Sequence, residues 1–232
     1  MKYFGNGLSE LHKELNTIIR KADKLEEAKT LFFELHSKLH VSSMTGAEQN
    51  ETDSLLGDLM PSEYRIMPTS KDETIAWVLW HIARIEDLTM GILVDRGGQV
   101  FDSSWKRQMN VHISDTGNAL SDDEIMELSA GLDMKELIAY RNAVGQRTQD
   151  IVKSLSADDM KRRVSAQGLE AVKQSGGVTD QEESLWLLDF WEKKDVAGLL
   201  LMPPTRHVIL HLNDCGKWKQ HIRDNKKCFR RA

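Results

Sequence analysis

With two cysteines and four prolines in 232 residues, the chain has neither a disulfide framework nor the breaker-rich composition of a fibre or linker. No charged segment followed by an apolar one opens the sequence, so Cys215 and Cys228 are expected to be thiols in a reducing cytoplasm. The uncharged apolar stretch from Thr74 to Trp80 is far short of the ~20 residues a membrane span needs. A net charge of −5 gives no electrostatic reason to expect nucleic acid, which is held by neutralising phosphates with Lys and Arg. The basic group Lys226, Lys227, Arg230 and Arg231 reads as a solvated C-terminal end whose charge suits the last turn of a helix. Nowhere does apolar and polar alternate long enough for a strand, and no repeat of fixed period is visible. What remains is ordinary globular composition, 40% hydrophobic and 29% charged, expected to form one helical domain over residues 1–232.

Three- and four-residue spacing supplies the helices. Leu8, Leu11, Leu15, Ile18, Ile19, Ala22, Leu25, Phe32, Leu35 and Leu39 share one stripe and predict a long first helix. A polar connector follows to about Thr69, with an apolar patch at Leu55, Leu56, Leu59 and Met60. Ser70 and Glu73 have the spacing of a capping box, so a second helix is expected over 74–94, apolar almost all round in its first half and therefore enclosed. A looser stretch over 99–132 holds a short helix capped by Ser121 and Glu124; Asp133 and Glu136 then open a third long helix, and Ser156 closes it or caps a following turn. The segment 161–178 reads as a loop ending in Ser175-Gly176-Gly177. Thr179 and Glu182 cap a helix carrying Trp186 and Trp191; Pro203-Pro204 breaks it and serves equally well as the first turn of a last helix from about Thr205 to Arg223. The expected class is all-α, a four-helix bundle with long connections and one or two extra short helices.

The histidines carry the chemistry. His207 and His211 stand four apart on the last helix, with Cβ atoms roughly 5–6 Å apart, so both imidazoles can reach one ion. Such a pair is equally at home on a surface or in a core, but Val208, Ile209, Leu210 and Leu212 mark this helix as largely buried, and a buried imidazole needs partners. His81 lies in the most apolar part of the second helix, where a core histidine with one hydrogen bond is the alternative reading. Three buried imidazoles need three separate hydrogen-bond solutions, or one cation that satisfies all of them.

Asp214 follows His211 by three residues and is a candidate fourth ligand or general base, with a solvated carboxylate as the alternative; Arg84 is a candidate contact for an anionic substrate, with structural pairing as its alternative. Glu86 and Asp87 fall off the His81 face and read as polar-side or salt-bridge groups. Cys215, four residues beyond His211, is a candidate ligand or reactive thiolate, with a small buried hydrophobe as the default reading. Trp77, Trp80, Trp186, Trp191 and Trp218 wall a pocket or simply pack the bundle, and His12, His36, His40, His112 and His221 sit among polar neighbours as surface residues.

The stretch W-x-L-W-H-I-A-R-I-E-D from Trp77 to Asp87, paired with H-x3-H at His207 and His211, resembles the DinB-like superfamily. After that motif the chain reads Asn213-Asp214-Cys215-Gly216-Lys217-Trp218, where many members carry a further His and an Arg-Gly pair. The resemblance implies a four-helix bundle, a homodimer, and His81, His207 and His211 as ligands of one divalent ion, zinc or nickel, at an open site. It further implies thiol-dependent S-transfer or isomerase chemistry in characterised branches. The expectation is a metal-dependent transferase or hydrolase, its site open to water or a low-molecular-weight thiol. The alternative is a non-catalytic metal-binding or stress-related interaction protein whose site Asp214 or Cys215 closes.

Overall fold

The computed structural model describes residues 4–224 and 226–231, and among these the only β pairing is two isolated bridges, Met67 with Arg230 and Arg163 with Asp195. The protein is all-helical. Its helices are α1 (Leu8–Ile18), α2 (Leu25–Leu39), α3 (Glu51–Leu56), α4 (Ile75–Asp87), α5 (Ser103–Gln108) and α6 (Asp122–Gly131). They continue with α7 (Met134–Ser154), α8 (Ala157–Lys161), α9 (Ala166–Gln174), α10 (Glu182–Glu192), α11 (Val196–Leu200) and α12 (Val208–Arg223). Among the described residues, no helix is long and apolar enough to cross a membrane.

The expected first helix is two. An exposed stretch at Arg20 and Lys21 turns the chain, and α1 folds back against α2, so that Leu15 and Ile18 of one helix and Phe32, Leu35 and Leu39 of the other enter one core. A single stripe and two packed stripes have the same spacing in sequence, so periodicity alone does not separate them. Lys21, extended at φ −89° and ψ 118°, marks the break.

Helix α4 is the centre of the fold. Every residue from Ile75 to Asp87 is buried, and the helix packs on α7, α12 and α6. Its start lies four residues beyond the expected cap: the Thr74 hydroxyl, not Ser70, accepts from Trp77 N at 3.0 Å. It continues through Leu88–Val94 in the wider i→i+5 winding. The box at Ser121/Glu124 and the cap at Asp133 form as the spacing predicts, and of its two expected roles Ser156 takes the second, capping α8.

Further departures are local. α9 forms inside the expected loop, capped by Ser165, and α5 is capped by Asp102. α10 begins after Gln181 without a side-chain cap and ends at Lys193, ten residues before the prolines. Pro203 and Pro204 open the last helix, as a first turn of proline allows; it winds in i→i+5 form over Met202–His207 before α12, and the missing N–H of proline has no helical partner there. The C-terminal basic group lies beyond α12, and Arg230 reaches Asp122 and Asp123 at the start of α6.

Candidate metal centre

His81 projects from the middle of α4, while His207 ends the wide-wound turn and His211 lies in the first turn of α12, which packs on α4. The three imidazoles converge: Nε2 of His207 is 3.1 Å from Nε2 of His81 and 3.1 Å from Nε2 of His211. Trp77, one turn before His81, stacks on its ring at 4.6 Å between centroids and 8° between planes.

The orientation of α4 is set by a peptide segment running beside it. Four successive carbonyls accept from its side chains: Ser114 O from Arg84 Nε, Asp115 O from Trp80 Nε1, Thr116 O from His81 Nδ1 and Gly117 O from Trp77 Nε1. Gly117 has φ +76°, and a Cβ there would stand 2.8 Å from Trp77 Nε1, so this position requires glycine. Because a carbonyl only accepts, His81 carries its proton on Nδ1 and presents the Nε2 lone pair to its neighbours.

Burial, with the charge of His211 beside it, pushes His81 down to about 3. Burial and the two neighbouring rings hold His207 well below the ordinary histidine range; burial lowers His211 to about 4 against the opposing pull of Asp214. All three are neutral near pH 7. His207 Nε2 then faces two nitrogens with at most one proton to share, so lone pairs meet without a donor between them. A cation resolves this. Two donors bound to one ion at 2.0–2.1 Å stand about 2.8–3.4 Å apart, depending on whether the bonds meet at right or tetrahedral angles. The 3.1 Å separations fall inside that interval, and the donor set fits a divalent ion.

All three rings line a cavity of about 310 Å³, closed otherwise by Trp77, Ile85, Trp186, Leu187, Phe190 and others, with Asn118 adding a polar side chain and no Lys, Arg or carboxylate among its lining residues. Of the tryptophans, Trp77, Trp186 and Trp191 wall this space, whereas Trp80 is fully buried and Trp218 lies elsewhere in the core.

The other candidates sit apart from the rings' meeting point. Arg84 is fully buried, donating to Asp87 Oδ2 at 2.9 Å and the Tyr140 hydroxyl at 2.8 Å, and covering the Phe101 ring at 4.4 Å. Asp214 accepts from Lys217 Nζ at 2.7 Å at the surface. Cys215 is buried, and burial pushes its thiol far above the ordinary range, as expected of a small apolar filler. Leu210, expected inside, is exposed.

Two readings of the histidines and acids need correcting. His36 and His40 are buried, not on the surface, because the Phe32, Leu35 and Leu39 side of α2 turns inward with them. Glu86 and Asp87 are salt-bridge groups, one of their two expected roles, but buried rather than on a polar side: Glu86 meets His36 and His40, and Asp87 joins Arg84 and Tyr140 and accepts from Val100 N and Phe101 N. His112 is exposed, and His12 and His221 are half-buried. Neither Thr116 nor Asn118 carried a signal in sequence, since a backbone carbonyl has no residue code and Asn118 stands in a loop.

The all-helical fold thus brings imidazoles from two separated helices to one point, a group that could hold a metal ion. The chain belongs to the DinB superfamily, whose family model matches residues 44–183. That span includes His81 and stops before His207 and His211, so it is the fold that brings the last two rings to the first. No curated protein matches the chain.

Proposed function

We propose that this protein is a metal-dependent enzyme of transferase or hydrolase type, in which His81, His207 and His211 hold one divalent ion, zinc or nickel, at the floor of the aromatic cavity. The observation that carries the reading is the meeting of three neutral imidazoles, one with its tautomer fixed by Thr116 O, at the wall of a space large enough for a small molecule. On this reading α2, α4, α7 and α12 are the four helices of a bundle that carries its site inside.

When bound, the ion supplies Lewis acidity to a substrate atom in a position the protein leaves vacant. The chain's own residues do the rest. Thr116 O and the Trp77 ring hold His81 in place, Trp186, Phe190, Trp191 and Met202 keep water from the substrate's apolar part, and Asn118 offers it a polar contact. The alternative, a closed structural site, has less support: Asp214 is engaged by Lys217, and Cys215 is outside the group of converging donors.

Thiol transfer is favoured over hydrolysis by a second hollow of about 530 Å³ that shares Phe190 and Met202 with the first. Arg163, Lys193, Lys194 and Arg206 line it, and low-molecular-weight thiols commonly carry carboxylates. The test is turnover by metal-loaded protein with a panel of small thiols and aromatic electrophiles, beside a panel of neutral esters. Metal-dependent thiol consumption that His207→Ala abolishes is expected. Full metal occupancy with no turnover of either panel, and four protein donors by X-ray absorption, would establish the closed structural site instead.

A further inference from the structure

We propose that His36, His40 and Glu86 form a second metal site, closed and structural, that ties α2 to α4 with a late first-row divalent ion. The three side chains are 0%, 0% and 1% exposed, and one donor atom from each lies within 4.8 Å of the others. Both imidazoles turn Nε2 toward the carboxylate, His36 at 2.8 Å from Oε1 and His40 at 3.4 Å from Oε2. Those separations span the interval for donors sharing one ion.

A hydrogen-bonded cluster does not account for the arrangement. His36 donates to Glu86, but His40 has neither nitrogen bonded and Glu86 Oε2 has no donor. Buried polar atoms without partners cost roughly 1–3 kcal/mol each, so several in one place call for a group that binds them together. One cation between Nε2 of each ring and the Glu86 carboxylate gives His40 Nε2 and Glu86 Oε2 the partner they lack. The backbone also makes room for His40: a Cβ on Gly145 of α7 would stand 2.6 Å from the ring, so only glycine lets α7 approach.

The donor set selects the ion. With one carboxylate and the Arg141 guanidinium close by, charge alone does not hold a cation, and nitrogen donation must. That favours zinc, copper or nickel over calcium and magnesium, which take oxygen ligands. None of the three residues lines the cavity of the first centre, so the ion would meet no substrate and would stabilise packing. The site goes beyond the proposed activity and does not depend on it.

The test is metal content and melting temperature of the full chain, untagged, after stripping and reloading with zinc. The variant His81→Ala/His207→Ala/His211→Ala is expected to retain about one equivalent of zinc and to melt higher with zinc than without. Adding Glu86→Gln, close in shape, is expected to remove both effects while circular dichroism stays helical. Calcium and magnesium are expected to do neither. Should the triple variant not fold, the wild type and Glu86→Gln alone are compared, with two equivalents expected to fall to about one. Wild-type protein that binds a single equivalent, lost entirely with the first three histidines or unchanged by Glu86→Gln, overturns the proposal in favour of a proton-bridged cluster.

Discussion

His81 Nδ1 donates to the carbonyl oxygen of Thr116 at 2.9 Å, and that one bond decides which nitrogen His81 turns toward His207. The carbonyl is held by the turn at Gly117, whose positive φ and contact with Trp77 leave no room for a side chain. Gly117→Ala should therefore lose about 1–2 kcal/mol from the left-handed backbone alone and more from the indole contact. It should also weaken metal binding, because Thr116 O moves with it. Urea unfolding and zinc competition measure the two; stability within about 0.5 kcal/mol of wild type would count against the turn's role.

Replacing a ligand should cost more than replacing a neighbour. His207→Ala and His211→Ala are each expected to weaken zinc at the cavity by at least ~100-fold, beyond the 10–100-fold typical of groups that only support a ligand. Asp214→Asn, which loosens a surface pair with Lys217, should stay within about tenfold of wild type. Competition with a chelating dye checks all three, and equal losses would place Asp214 on the ion.

The Arg84–Asp87–Tyr140 triad is a lock between α4 and α7, not part of the site. Tyr140 donates to Asp87 Oδ2 at 2.6 Å and accepts from Arg84, all three being fully or nearly fully buried. Tyr140→Phe should cost about 1–3 kcal/mol by leaving a buried charged pair short of a partner. Zinc affinity should not change. A fall in affinity with unaltered stability would contradict this assignment.

Alkaline pH offers a separate test. Burial, with the charges of Asp58 and Cys215, raises Tyr64 to about 12, and burial raises Tyr140 well above the ordinary range despite Arg84. A group raised on folding binds its proton more tightly in the folded state, so its contribution is intact below pH 10 and falls away as pH rises toward 12. The melting temperature should drop across that window, with the 295 nm phenolate signal of these two residues appearing only on unfolding. Ionisation of both near pH 10 with the helical signal intact would refute it.

Much of this was written in spacing. The caps at Ser121 and Asp133, the enclosed run of α4 and the pair His207/His211 follow from side chains whose chemistry shows at short range. The missed features are tertiary. α1 and α2 share one periodicity until packing folds them against each other, and α9 has only a weak apolar face over a loop-like composition. His36 and His40 have the same four-residue spacing as His207 and His211, and Phe32, Leu35 and Leu39 beside them marked an inward face. Lys38 and Ser37 between them suggested a surface, and Glu86, the partner that makes burial tolerable, is fifty residues away in sequence.

The most direct measurement is anomalous X-ray scattering from a crystal of the zinc-reloaded protein, collected on both sides of the zinc edge. The account predicts a zinc peak about 2.0–2.1 Å from Nε2 of His81, His207 and His211, at the edge of the aromatic cavity. Featureless density between those three rings in fully loaded protein, or rings turned away from one another, would contradict it.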